Sequence, residues 1–183
     1  MAVVSKTNPV GIDAQVDRIQ KTIYTYLTNI AGWLNYESYP RAYKNEKDGG
    51  SIPEIYTGKN EYKECFLNDK YKVTSFFLSG DEKNFDNDGG QLTQELSIVF
   101  QADINKLYPA ITHRADEEMH RDIFLAINRT GLKTYLESIS TGIGNVYSDL
   151  DIPDTYLQRV KLDDISNYHI VKVTLKIPFA YCN

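Results

Sequence analysis

LTQELSIVFQADINKLYP, residues 92–109, decides the fold. Leu96, Ile98, Phe100 and Ala102 recur at every second position, and Glu95, Ser97, Gln101 and Asp103 fall on the other side. Val99 is the one apolar interruption of that other side. A period of two marks a strand with one face on a core and one toward water. The alternation stops at Asp103, and the chain then runs toward an acidic helix. One dry face and one wet face predict an antiparallel sheet with a helix layer on a single side.

Two stretches supply that layer. In residues 12–34, Ile12, Val16, Ile19, Ile23, Leu27, Ile30 and Leu34 recur at three- and four-residue spacing, an amphipathic stripe. Asp13 and Asp17 suit the positive end of the helix dipole, Pro9 precedes it, and Gly32 weakens the last turn. In residues 114–132, Ala115, Met119, Ile123, Ala126 and Ile127 form the stripe. Asp116, Glu117 and Glu118 fill its first turn, and Gly131 is placed to cap its end.

Further strands are expected at 36–43, from 52, at 70–80 and at 168–181, where Val171, Val173, Leu175, Ile177 and Phe179 alternate with Lys172, Thr174 and Lys176. The polar run 81–91 is expected to be a hairpin-type loop. Residues 135–152 read as a short strand pair or a strand bulged around its two glycines. The order is α, β, β, β, α, β, β. It defines one α+β domain over residues 1–183, mainly antiparallel sheet with two α-helices on one face. Loop excursions are expected at about 35–60, where KNEKDGGS has the composition of a loop tip, and at 153–167.

Composition excludes several classes. Hydrophobic residues make up 42% and charged residues 25%, the balance of a globular chain and not of a disordered one. A formal net charge of −5 gives no general attraction to nucleic acid or anionic lipid. No apolar run is long enough for a signal sequence or a membrane span, and this points to the cytosol. Cys65 and Cys182 show no metal-binding spacing and read as reduced thiols. The 14 tyrosines suit half-buried sheet faces and interfaces.

A search for chemistry finds nothing specific. His113, Asp116, Glu117 and His120 form i, i+4 pairs that can share an ion, but no motif supplies further ligands; a solvated, charge-paired helix start is the expectation. TGIGN, residues 141–145, has two glycines but lacks the third glycine and the βαβ unit of a phosphate loop. There is no G-x-S-x-G, and the carboxylate pairs Asp149/Asp151 and Asp163/Asp164 read as solvated loop residues. No catalytic residue, cofactor or metal is expected.

The element order resembles the tail terminator and neck ring proteins of tailed bacteriophages. The correspondence runs from the first helix through IPEIYTG (52–58) and LTQELSIVFQADI (92–104) to the closing strand HIVKVTLKIPFAY (169–181). VFQADINKLYP (99–109), followed by HRADEEMHRD (113–122), looks like the ring proteins at the portal–tail junction of crAss-like phages. The resemblance implies a tail-terminator-like fold and a non-enzymatic virion subunit. Six or twelve copies would close a ring between portal and tail, contacting other neck proteins. Genomic DNA would pass through without sequence-specific binding, and no membrane is involved. Subunit contacts are expected by strand addition at the last strand, through Val171, Val173 and Leu175, or at 70–78. Tyr36, Tyr39, Tyr43 and Tyr56 are expected to reach over a neighbour, and acidic residues in 81–88 and 148–151 to line the channel. The alternative is a monomeric binding module or small enzyme with a site in 135–165.

Overall fold

Strand β6 (Gln91–Asp103) runs through the middle of the molecule, paired antiparallel with β5 (Val73–Asp86) on one side and β8 (Tyr168–Phe179) on the other. The computed structural model describes residues 2–47, 49–65, 70–86, 91–147 and 167–180. Beyond β5 lie β2 (Tyr36–Lys47), β3 (Gly50–Gly58) and β4 (Glu61–Glu64); beyond β8 lies β7 (Leu136–Thr141). The order is β4-β3-β2-β5-β6-β8-β7, and β1 (Ala2–Val3) pairs beside β2, off this path. Among the described residues only the β1–β2 and β2–β5 pairings are parallel. The fold is α+β with a mainly antiparallel sheet.

Both predicted helices form and pack on one face. Helix α1 (Ile12–Asn29) buries Ile12, Val16, Ile19, Ile23 and Leu27, and α3 (Asp116–Arg129) buries Met119, Ile123, Ala126 and Ile127. They cover Phe77, Leu96, Ile98, Phe100, Val171, Val173, Leu175 and Ile177 in the larger core. Between β6 and α3, α2 (Ile104–Leu107) is a single turn capped by the Asp103 side chain, which accepts from the Lys106 amide at 3.1 Å. Gly131 takes the left-handed conformation (φ 78°) after α3, as the capping pattern requires. The stripe of α1 ends early: Ile30 and Leu34 are exposed, and Trp33 is buried in their place. Gly32, at φ 75°, turns the chain so that Trp33 meets Tyr36 and Phe100 edge-to-face.

The opposite face departs from the sequence pattern. Of the four polar positions opposite the apolar stripe, Glu95 is exposed, whereas Ser97, Gln101 and Asp103 are buried beside Val99. A second core of Tyr39, Ala42, Ile52, Ile55, Cys65, Phe76, Val99, Val146, Tyr147 and Ile170 lies there. It exists because the sheet curls. Cys65 follows β4, four strands from β6 in the order, yet its carbonyl accepts from Gln101 Nε2 at 3.0 Å. Burial pushes the Cys65 thiol pKa well up, and its Sγ reaches the Pro53 carbonyl.

Three expectations about loops are corrected. Residues 35–60 hold the two expected strands, at 36–43 and from 52, and these run on through most of the expected loop tip as the antiparallel hairpin β2–β3 leading into β4. Residues 81–86 extend β5, pairing as far as Asp86↔Gln91, so the polar run is largely strand. Between them, Ser79 to Lys83 form a bulge in which Gly80 lies against β6; a Cβ there would come within 3.1 Å of the Glu95 Cβ. After β7, Gly142 (φ 82°) begins the helical turn α4 (Ile143–Val146), which delivers Val146 and Tyr147 to the second core. TGIGN is therefore a strand end and a helical turn, not a bulged strand. The expected excursion at 153–167, apart from Asn167, and the acidic residues Asp88, Asp149 and Asp151 lie outside the described residues.

Candidate interaction surface

The sheet determines which residues can reach a neighbour. Strands β5 and β8 each have partners on both sides, so neither offers an edge for strand addition; among the described residues the strands at the ends of the order are β4 and β7. The expectation for the last strand is thereby corrected, and its residues with it. Val171, Val173 and Leu175 have no exposed surface and are part of the helix-covered core. Tyr36 and Tyr39 are buried too, one on each face of β2, as alternation along a strand dictates. The Tyr36 hydroxyl shares a hydrogen bond with Ser75 Oγ at 2.7 Å, and burial pushes its pKa up to about 12. The Tyr39 hydroxyl donates to Glu37.

Tyr43 and Tyr56 are the two that reach the surface, at 36% and 46% exposure. They meet a residue the sequence pattern did not single out. Tyr62 on β4 packs edge-to-face against both, with ring centroids 6.5 Å from Tyr43 and 5.4 Å from Tyr56. The Arg41 guanidinium stands 4.8 Å from the Tyr43 ring centre and donates from Nη2 to its hydroxyl at 3.1 Å. The signal was the recurrence of Tyr on both arms of a hairpin, readable only once the register Tyr43↔Glu54 and Tyr56↔Tyr62 is known.

Arg41 ties this aromatic patch to α1. Its Nε donates to Asp13 Oδ1 at 2.8 Å, and Lys6 pairs with the same carboxylate. Burial alone would raise the Asp13 pKa, but the hydrogen bonds from Lys6 and Arg41 and their charges outweigh it and hold the carboxyl below its ordinary value. Beside this pair, Lys6, Asp13, Val16, Asp17, Gln20, Pro40, Arg41, Tyr43 and Tyr56 line an open depression.

The histidines do not assemble as an ion site. His113 Nε2 contacts Glu118 Oε1 at 3.1 Å, and His120 Nδ1 lies 3.3 Å from Glu117 Oε1. His120 Nε2 instead meets Nε2 of His169, on β8, at 2.8 Å, one nitrogen donating and the other accepting. Burial and the neighbouring His120 push the His169 pKa down to about 4. Among the described residues no group of three or more His, Cys, Asp or Glu is placed to hold a metal ion.

Among the described residues the arrangement is a curled α+β sheet that ends at β4 and β7, with an aromatic, arginine-bearing patch at the β4 end. Compared with known proteins, the chain matches no family model, no curated protein and no solved structure. Among the described residues no helix is long and apolar enough to cross a membrane.

Proposed function

We propose that the chain is a structural ring subunit of a tailed-bacteriophage virion, joining portal to tail and passing DNA without catalysis. The observation that carries this reading is the pair of outer strands, β4 and β7, at opposite ends of one sheet. Closed rings need heterologous contacts, two different surfaces on each subunit. A strand edge supplies backbone donors and acceptors ready for pairing, and natural monomers usually blunt such edges. On β7, Glu137, Ser138 and Ile139 are exposed, and Ile139 keeps 39% of its surface. On β4, Glu61, Tyr62 and Lys63 are exposed. Joining β4 of one copy to β7 of the next extends the sheet around the ring. The wording of residues 99–109 and 113–122, similar to crAss-like phage ring proteins, supports the same reading. It gives six or twelve as the copy number, a virion location after assembly in the host cytoplasm, and the portal and neighbouring neck proteins as partners.

The test is mass and shape. Light scattering coupled to size exclusion, with electron micrographs of the chain alone and mixed with portal, should show closed rings at six or twelve times 20.9 kDa. Ile139→Lys, which puts a charge on the β7 edge, should leave the fold intact and abolish ring closure. A chain that stays monomeric with portal present, or rings that survive changes at both edges, refutes the reading.

A further inference from the structure

We infer that the depression between α1 and the β2–β3 hairpin is a binding notch for a tryptophan side chain of another protein. Two acceptors carry the inference. Gln20 is 1% exposed; its Nε2 donates to the carbonyls of Val4 (3.1 Å) and Ser38 (2.9 Å), but its Oε1 has no partner. Asp17, one turn earlier, gives Oδ2 to Lys21 at 2.7 Å and leaves a buried Oδ1 without a partner. Both residues line the notch. A buried acceptor left unsatisfied costs on the order of 1–3 kcal/mol, so a donor arriving there is favoured.

The remaining lining selects the donor. Val16, Pro40 and the rings of Tyr43 and Tyr56 are apolar wall. The charged lining residues, Lys6 and Arg41 against Asp13 and Asp17, cancel in number, so a cation gains no net attraction. Every guanidinium nitrogen of Arg41 already donates, to Asp13, Ser79 or Tyr43. What fits is an uncharged, mainly apolar group that donates and has no lone pair to satisfy. Indole is that group: its N–H is donor only, on a large aromatic body. Tryptophan is also among the residues that most often anchor interfaces. A second copy cannot provide it, because the one tryptophan of the chain, Trp33, is 1% exposed and its Nε1 donates to Asp122 and Tyr108.

The test is a titration of the isotope-labelled chain, whatever its state of assembly, with 3-methylindole, followed by amide and side-chain NMR. The Gln20 side-chain amide and the Val16 and Asp17 amides should shift saturably, with a dissociation constant on the order of millimolar. The ligand 1,3-dimethylindole lacks the donor and should bind about fivefold more weakly. Tyr43→Ala removes one wall from a partly exposed position and should weaken both ligands alike. p-Cresol, the tyrosine side chain, should bind more weakly than 3-methylindole. Absence of saturable shifts at these residues, equal binding of the two indoles, or tighter binding of p-cresol each overturns the inference. None of these outcomes depends on ring formation, which the mass measurement reads separately.

Discussion

The two faces of the central sheet are built on different principles. On the helix-covered face, residues from β5, β6, β8, α1 and α3 interlock, and each element shows its buried stripe in its own periodicity. On the opposite face, a smaller core joins β2 and β3 to single residues from a strand end and a helical turn, Cys65, Val146 and Tyr147. The first face is made by elements that announce themselves. The second is made by the curl of the sheet, which brings the hairpin arm over β6 and buries Ser97 and Gln101 on what alternation marks as the wet side. A core assembled from regular stripes spreads its energy over many elements, and one assembled by a fold-back depends on the arm staying closed.

Core truncation tests this contrast most strongly. Phe100→Ala, at the centre of the helix-covered core, should cost about 3–5 kcal/mol and shift the whole denaturant transition. Ile55→Ala, in the smaller core, should cost about 2–4 kcal/mol, with hydrogen exchange accelerated first in β2 and β3. Uniform acceleration across β6 and β8 for both variants would erase the distinction.

Next in size is the polar knot on the helix-covered side. Trp33 Nε1 (3.1 Å) and the Tyr108 hydroxyl (2.8 Å) both donate to Asp122 Oδ2, and Arg121 donates to Oδ1. Asp122→Ala leaves the Tyr108 hydroxyl without its acceptor and Trp33 Nε1 with only its 3.2 Å contact to that hydroxyl, and should cost about 2–4 kcal/mol by thermal or denaturant unfolding. An unchanged midpoint would mean that water replaces the carboxylate.

Acid reaches two groups on the helix-covered side at different pH values. The His169 pKa, pushed down to about 4 from 6.5, means that the unfolded chain binds this proton first. Its contribution is full above about pH 6.5 and is lost as pH falls toward 4. The group is partly screened by solvent, so the loss should be about 1–2 kcal/mol, and His169→Gln should flatten that slope. Asp13, held below 3.8, keeps its contribution until the pH drops under that value. Asp13→Asn should therefore remove only the later loss, along with the link from α1 to Arg41 and the hairpin. A slope between pH 6.5 and 4 that survives His169→Gln would reassign it.

What was legible in the sequence was whatever repeats. The stripes of α1 and α3 and the alternation of β6 and β8 are local patterns, each fixed by the geometry of its own element, and the structure keeps their apolar sides except for Ile30 and Leu34. Strands were legible at 36–43 and from 52, but the paired stretch between them was read as a loop tip because Asn45 and Gly49-Gly50 dilute the alternation there. Strand neighbours were not legible at all. Nothing in residues 168–179 says that β7, earlier in the chain, will take the outer position and leave Val171, Val173 and Leu175 inside. The surface tyrosines were half legible: composition raised them, but only pairing shows Tyr62 between Tyr43 and Tyr56.

The sequence by itself determined an α+β chain with two amphipathic helices and a central strand whose dry face they cover. Periodicity is a property of neighbouring residues, so it survives without knowledge of the rest. Tertiary structure alone decided the sheet order, the curl that creates a second core, and the meeting of Gln20, Asp17 and Tyr43 around one notch. Those depend on contacts between residues far apart in the chain, and such contacts leave no trace in local pattern.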